Sequence, residues 1–184
     1  YPRLERAEIE RRSLEGEKIE KTHGFLPLVC RALVSRGFSP GRELNAYLKP
    51  SLSRSLAGIR RIRDLDKVCN EIAAAVEKGQ KIVLCHDYDV DGTASAAMLL
   101  RFLNTIPGAK VTSEGSRRFS GGYGITTERV QALADQGNKL FVFLDFGTTA
   151  HEQIARLKDL GRRVVVLDHH EPEGTLPAAD AISN

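Results

Sequence analysis

Three short runs, IVLC at 82–85, LFVFL at 140–144 and VVVL at 164–167, are nearly all apolar. A strand with one wet face alternates apolar with polar residues, so runs without alternation describe strands buried on both faces. Such strands require helices above and below them. The intervening sequence supplies them: strands over 81–85, from 110, over 140–144 and over 163–167 alternate with helical patterns over 93–103, 127–135 and 149–160. The pattern predicts an α/β fold with a mostly parallel sheet flanked by helices.

Residues 1–80 read differently, as a small helical N-terminal region. Residues 3–22 are charge-rich with few apolar positions, which predicts a solvent-facing helix interrupted near Gly16 and outside any core. Apolar residues then recur at helical spacing over 25–34 and stop at Gly37, and a short helix is expected between Pro40 and Pro50. Residues 64–79 form an amphipathic pattern with Val68, Ile72, Ala75 and Val76 on one face and Gly79 as its stop. The expected organisation is therefore a helical region over 1–80 and an α/β domain over 81–184.

Composition excludes several classes. No apolar run approaches the ~20 residues of a membrane span and no signal-peptide pattern is present, so a cytoplasmic protein is expected. Cys30, Cys69 and Cys85 are odd in number and lack metal-ligand spacing, which argues against a disulfide framework and a structural zinc. Residues 1–81 carry 17 Lys or Arg against 11 Asp or Glu, whereas residues 82–184 carry 10 against 13. Basic and acidic regions in one chain suit an enzyme of a phosphate polymer, the first attracting the backbone and the second holding metal.

The acids are not scattered. The first buried run continues into His86, Asp87, Asp89 and Asp91, the second into Asp145-Phe146-Gly147, and the third into Asp168-His169-His170. Ligands of open α/β sheets bind beyond the carboxyl ends of strands, so these groups are expected to meet in one crevice. Asp145 taken alone reads more readily as a helix N-cap than as part of a site; the coincidence of three such ends favours a site. Carboxylates so clustered repel unless a cation lies among them. Oxygen donors with imidazole suit Mg²⁺ or Mn²⁺, and a pair of ions would form the clamp used in phosphoester hydrolysis.

With these residues in view, DYDVDGTASAAML, LDFGTTA and VVVLDHHEPEGTLPAADAISN resemble the first three motifs of the DHH phosphoesterase superfamily, in the version found in RecJ single-stranded-DNA exonucleases. RRFSGGYGIT and the upstream RALVSRGFSPGRELNAYLKPSL are similar to RecJ segments as well, so the resemblance covers roughly residues 25–184. It implies that Asp89, Asp91, Asp145 and His169 hold metal, with Asp145 bridging two ions of Mn²⁺ or Mg²⁺. It implies that His170 faces the scissile phosphate, that Asp168 supports the ligands by hydrogen bonding, and that Arg118 and Tyr123 reach the phosphate or sugar. Asp87 and His86 are expected behind the ligands. The implied function is metal-dependent 5′ to 3′ hydrolysis of single-stranded DNA in repair or recombination, alongside replication or repair proteins.

Two departures accompany the resemblance. Cys85 stands where many superfamily members carry a histidine, so either one metal site is altered or His86 reaches in from a shifted backbone. The family's fourth acidic motif and C-terminal substrate-binding domain have no counterpart before Asn184, so the chain alone is expected to be inactive. Two other readings stay open: a non-catalytic helicase cofactor or DNA-binding module of this fold, and a phosphodiesterase of oligonucleotides or cyclic dinucleotides.

Overall fold

The computed structural model describes residues 6–116, 124–172 and 174–184. The chain divides into two units, residues 1–59 and 60–184. The first holds helices α1 (Arg6–His23), α2 (Pro27–Ser35), α3 (Arg42–Leu48) and α4 (Leu52–Ala57). Its core is Ile19, Cys30, Leu33, Val34 and Leu44. Two expectations for this region are corrected. Helix α1 runs without interruption through Gly16, and its Ile19 is fully buried. Gly16 faces α2, where an added Cβ would stand 3.9 Å from Cys30 Cβ, so the helix continues because tertiary packing outweighs the ~1 kcal/mol that glycine costs a helix interior.

The second unit begins with helix α5 (Leu65–Glu77), which buries Val68, Ile72 and Ala75 against the sheet. The segment thus belongs with the strands, and not with the preceding helices as the sequence pattern suggests. Strand β1 (Lys81–His86), helix α6 (Val90–Leu103), strand β2 (Lys110–Gly115), helix α7 (Thr127–Asp135), strand β3 (Leu140–Leu144), helix α8 (His151–Asp159), strand β4 (Arg163–Leu167) and strand β5 (Ala181–Ser183) follow. All pairings are parallel and the strand order is β2-β1-β3-β4-β5. The expected α/β architecture is thus present.

Period-two geometry distributes the apolar runs between two cores. Ile82, Leu84, Leu140, Val142 and Val165 face α5 and α6. Val83, Cys85, Phe141, Phe143, Val164 and Val166 face α7 and α8. Burial of both faces, at roughly 1.5–3 kcal/mol for each large apolar side chain, fixes the register, since a slip of one residue would exchange the two faces. Strand β5 carries no apolar run and is not foreseen by the sequence pattern. Its residues pair with β4, and Asp180 Oδ2 just ahead of it accepts from Val164 N at 2.7 Å. Among the described residues no helix is long and apolar enough to cross a membrane.

The register sets the site. His86 lies opposite Leu144, and Leu144 opposite Leu167, so the next residues of the three strands, Asp87, Asp145 and Asp168, leave the sheet level with one another. The chain passes from β1 to β2 on one side and then returns across β1 to β3 on the other, making the gap between β1 and β3 a topological switch point.

Candidate metal centre

At the end of β1 the backbone must turn sharply into α6. Asp89 is the N-cap of that helix, its Oδ1 accepting from Gly92 N at 2.9 Å. Glycine is required at 92 because a Cβ there would lie 2.6 Å from Asp87 O. Asp87 is buried and accepts a hydrogen bond from Ser116 Oγ, which ties the end of β1 to the residue following β2. Asp91 stands exposed in the first turn of α6, where a negative charge complements the helix dipole.

Asp145, after β3, adopts a left-handed backbone, φ 64°. That region is uncommon for side chains other than glycine, with asparagine and aspartate among the better tolerated. It is held by Asp145 N donating to Leu167 O at 2.9 Å and by Phe146, which is buried and stacked on Phe143 with ring centroids 4.7 Å apart. Gly147, φ 126°, completes the turn at a place where a Cβ would come within 2.9 Å of Val166 Cγ1. Strain of this kind persists where the surroundings over-determine it, and here it turns the Asp145 carboxylate toward the switch point. Helix α8 has no side-chain cap, so the N-cap alternative fits Asp89 and not Asp145.

The third strand end is built around Asp168, whose side chain is 1 % exposed. Its Oδ1 accepts from His169 N at 2.7 Å, His170 N at 3.1 Å and His170 Nδ1 at 2.7 Å. Its Oδ2 accepts from Thr148 N at 3.0 Å and Thr148 Oγ1 at 2.8 Å. Burial raises the pKa of this carboxyl, but the hydrogen bonds from Thr148 and His170 outweigh it and hold the group below the usual carboxylate range. The same contact raises the pKa of His170.

His169 Nε2 lies 3.1 Å from Asp145 Oδ1, and the rings of His169 and His170 stand 4.7 Å apart. One ligand atom each from Asp145, His169 and His170 falls within 4.8 Å of the other two. Burial and then the adjoining Asp89 carboxylate raise the pKa of Asp145, while the Gly92 amide lowers that of Asp89. Two carboxylates in contact beside two imidazoles form a donor set for a divalent cation, which would remove their repulsion.

The structure therefore brings together Asp89, Asp145, His169 and His170, with Asp168 behind them. His170, expected to face substrate, stands within the same group as the expected ligands Asp145 and His169. Among the described residues the three-residue donor group of Asp145, His169 and His170 includes neither Asp89 nor Asp91; Asp89 joins it through its contact with Asp145. Cys85 is fully buried in the core facing α7 and α8, where desolvation pushes its thiol pKa up, so it offers no ligand. His86 does not replace it: its Nδ1 is 2.7 Å from Asp87 O, and its ring packs over Gly115. Arg118 and Tyr123 lie outside the described residues. Sequence reasoning missed Thr148, and it missed Asn184, whose Nδ2 donates to His170 O at 2.7 Å. A hydroxyl directly after the Asp-Phe-Gly turn was the only available signal for the first; the second depends on β5.

The chain is also similar to known proteins. Residues 81–184 match the model of the DHH family, N-terminal domain. The chain is 33 % identical over 175 residues to the single-stranded-DNA-specific exonuclease RecJ of Salmonella typhimurium, a match covering 95 % of this chain and 29 % of that protein. It is similar to the crystal structure of exonuclease RecJ bound to manganese, with a TM-score of 0.61 and 32 % identity over 65 % of this chain and 31 % of that one. The structure of RecJ from Thermus thermophilus in complex with Mn²⁺ gives a TM-score of 0.62 and 26 % identity over 91 % of this chain and 23 % of that one. The chain spans less than a third of the length of these relatives.

Proposed function

Since the chain belongs to the DHH family, whose N-terminal domain it carries, we propose that it is the metal-binding part of a RecJ-like nuclease that hydrolyses single-stranded DNA from the 5′ end. The observation that carries the reading is the convergence of Asp89, Asp145, His169 and His170 at the switch point. A site for two ions of Mn²⁺ or Mg²⁺ is proposed there, which Asp89, Asp91, Asp145 and His169 would hold. The Mn²⁺ in both RecJ relatives supports the choice of cation. The chemistry such cations supply is Lewis acidity, which makes water nucleophilic near neutral pH and offsets charge on phosphoryl oxygens.

The chain's own residues have separate tasks in this reading. Asp89 and Asp145 place negative charge on the β1 and β3 sides of the crevice, and His169 closes it from β4. His170, its Nδ1 donating to Asp168, turns Nε2 to the crevice, where its lone pair would help to hold a cation. Its protonated form, which the Asp168 contact favours, would donate to a phosphoryl oxygen and stabilise the charge that grows there. Arg118 and Tyr123 are proposed phosphate or sugar contacts. The excess of Lys and Arg over residues 1–81 supports a polymeric substrate, bound with an affinity that falls as salt rises. Action in DNA repair or recombination, beside other proteins of those processes, is part of the same proposal.

The test is hydrolysis of end-labelled single-stranded and duplex DNA by the longest natural form of the protein that contains this chain. Mn²⁺-dependent shortening of the single strand, lost on Asp145→Asn, is the expected result. Hydrolysis that survives chelation or the substitution would overturn the assignment. Strand binding without hydrolysis would favour a non-catalytic member of the family.

A further inference from the structure

Thr148 is 1 % exposed, and a buried hydroxyl needs a partner. It finds one in a different strand end, where the two oxygens of Asp168 divide their duties. Oδ2 takes the amide and the hydroxyl of Thr148, from the turn after β3. Oδ1 takes the two backbone amides and the His170 ring of the turn after β4. A carboxylate rotates about a soft two-fold torsion, so the donors on Oδ1 fix one oxygen while the placing of Oδ2 depends on Thr148. Two donors on Oδ2, from one residue whose backbone is itself fixed by the packed Phe146-Gly147 turn, set its plane.

The geometry points to Thr148 as a positioning residue: through Asp168 its hydroxyl fixes the orientation and tautomer of His170, so that Nδ1 carries the proton and Nε2 is the nitrogen turned to the crevice. Both oxygens of Asp168 already accept from backbone amides, so its carboxylate acts as an acceptor and the ring nitrogen 2.7 Å away is the donor. The inference rests on reading the cluster as a metal and phosphoester site, and it assigns a role that this reading leaves open. Partners lying behind metal-site histidines act in this way, fixing ring orientation and tautomer without touching the metal or the substrate.

The test compares Thr148→Val, which keeps the shape and removes the hydroxyl, Thr148→Ala, and Thr148→Ser, which keeps the hydroxyl. Nitrogen-15 spectra of the histidine rings, recorded on the metal-free 184-residue chain above the histidine titration range, report the His170 tautomer. The Nδ1–H form is expected in the parent and in Thr148→Ser, with a shift toward Nε2–H in Thr148→Val and Thr148→Ala. Mn²⁺ affinity, measured by calorimetry on the same samples, is expected to fall about 10- to 100-fold in the last two and to be retained in the serine variant. A parent chain that binds no Mn²⁺ would sink the metal reading, while the tautomer would still judge Thr148. Retention of the Nδ1–H form in both the valine and the alanine variants overturns the proposal; the alanine variant, which introduces no new contact, decides where the valine variant does not fold.

Discussion

Asp145 and Asp168 each follow a buried strand by one residue and stand level across the β3/β4 pairing, yet their surroundings are opposite. Asp168 is enclosed by five donors from Thr148, His169 and His170, which outweigh burial and keep it ionised. Asp145 sits on a left-handed backbone against the Asp89 carboxylate, and burial together with that neighbour favours its protonated form. The protein itself completes the first carboxylate. For the second, in the proposed reading, the balance of charge is left to a cation. Position at a strand end therefore does not assign a role to an acid; the donors around it do.

The largest effect is expected from Asp168→Ala. It leaves donors on Thr148 and His170 without their acceptor in a buried place, a loss on the order of 3–5 kcal/mol that denaturant unfolding would register. Gly147→Ala should come next, at about 1–3 kcal/mol, because the new Cβ meets Val166 at 2.9 Å on a backbone of φ 126°. It should also weaken Mn²⁺ binding, since the same turn aims Asp145. Asp145→Asn should leave stability equal to the parent or above it by up to about 1 kcal/mol, because asparagine tolerates the left-handed backbone and relieves the repulsion from Asp89. A loss in Asp145→Asn as large as in Asp168→Ala would erase the contrast.

The smallest effect is in pH dependence, and it has opposite signs at the two sites. Asp168 has a lowered folded-state pKa, so its stabilisation is present above the ordinary carboxylate value and is lost as pH falls through the lowered one. Asp145 has a raised pKa, so its stabilising protonation is present below the ordinary value and is lost as pH rises through the raised one. Metal-free unfolding curves should therefore show a shallower acid limb in Asp168→Asn. In Asp145→Asn the decline just above the carboxylate range should flatten instead. Identical profiles for the two variants would contradict the assignment of the shifts.

Much of the fold could be read from the chain because β1, β3 and β4 are buried on both faces, and burial on both faces leaves an unbroken apolar run. The same runs located the acids, since a strand that ends in aspartate announces its carboxyl end. What escaped detection depends on contacts between distant segments. Ile19 is buried by α2 and not by any periodicity of its own helix. Strand β5 is recruited by β4, and the left-handed turn at Asp145 is imposed by Phe146 and Gly147 packing under Phe143 and Val166. Asp89 and Asp91 look alike in DYDVDG and are both exposed, and only the cap geometry of α6 turns the first toward Asp145.

The central claim is that Asp89, Asp145, His169 and His170 hold a divalent cation at the β1/β3 switch point. Diffraction from Mn²⁺-soaked crystals of this chain, collected at the manganese absorption edge, tests it most directly. The account predicts an anomalous peak between the Asp145 carboxylate and His169 Nε2, with the Asp89 carboxylate in contact, and no such peak in Asp145→Asn. Saturating Mn²⁺ with no peak in that crevice, or with peaks only elsewhere on the molecule, would contradict it.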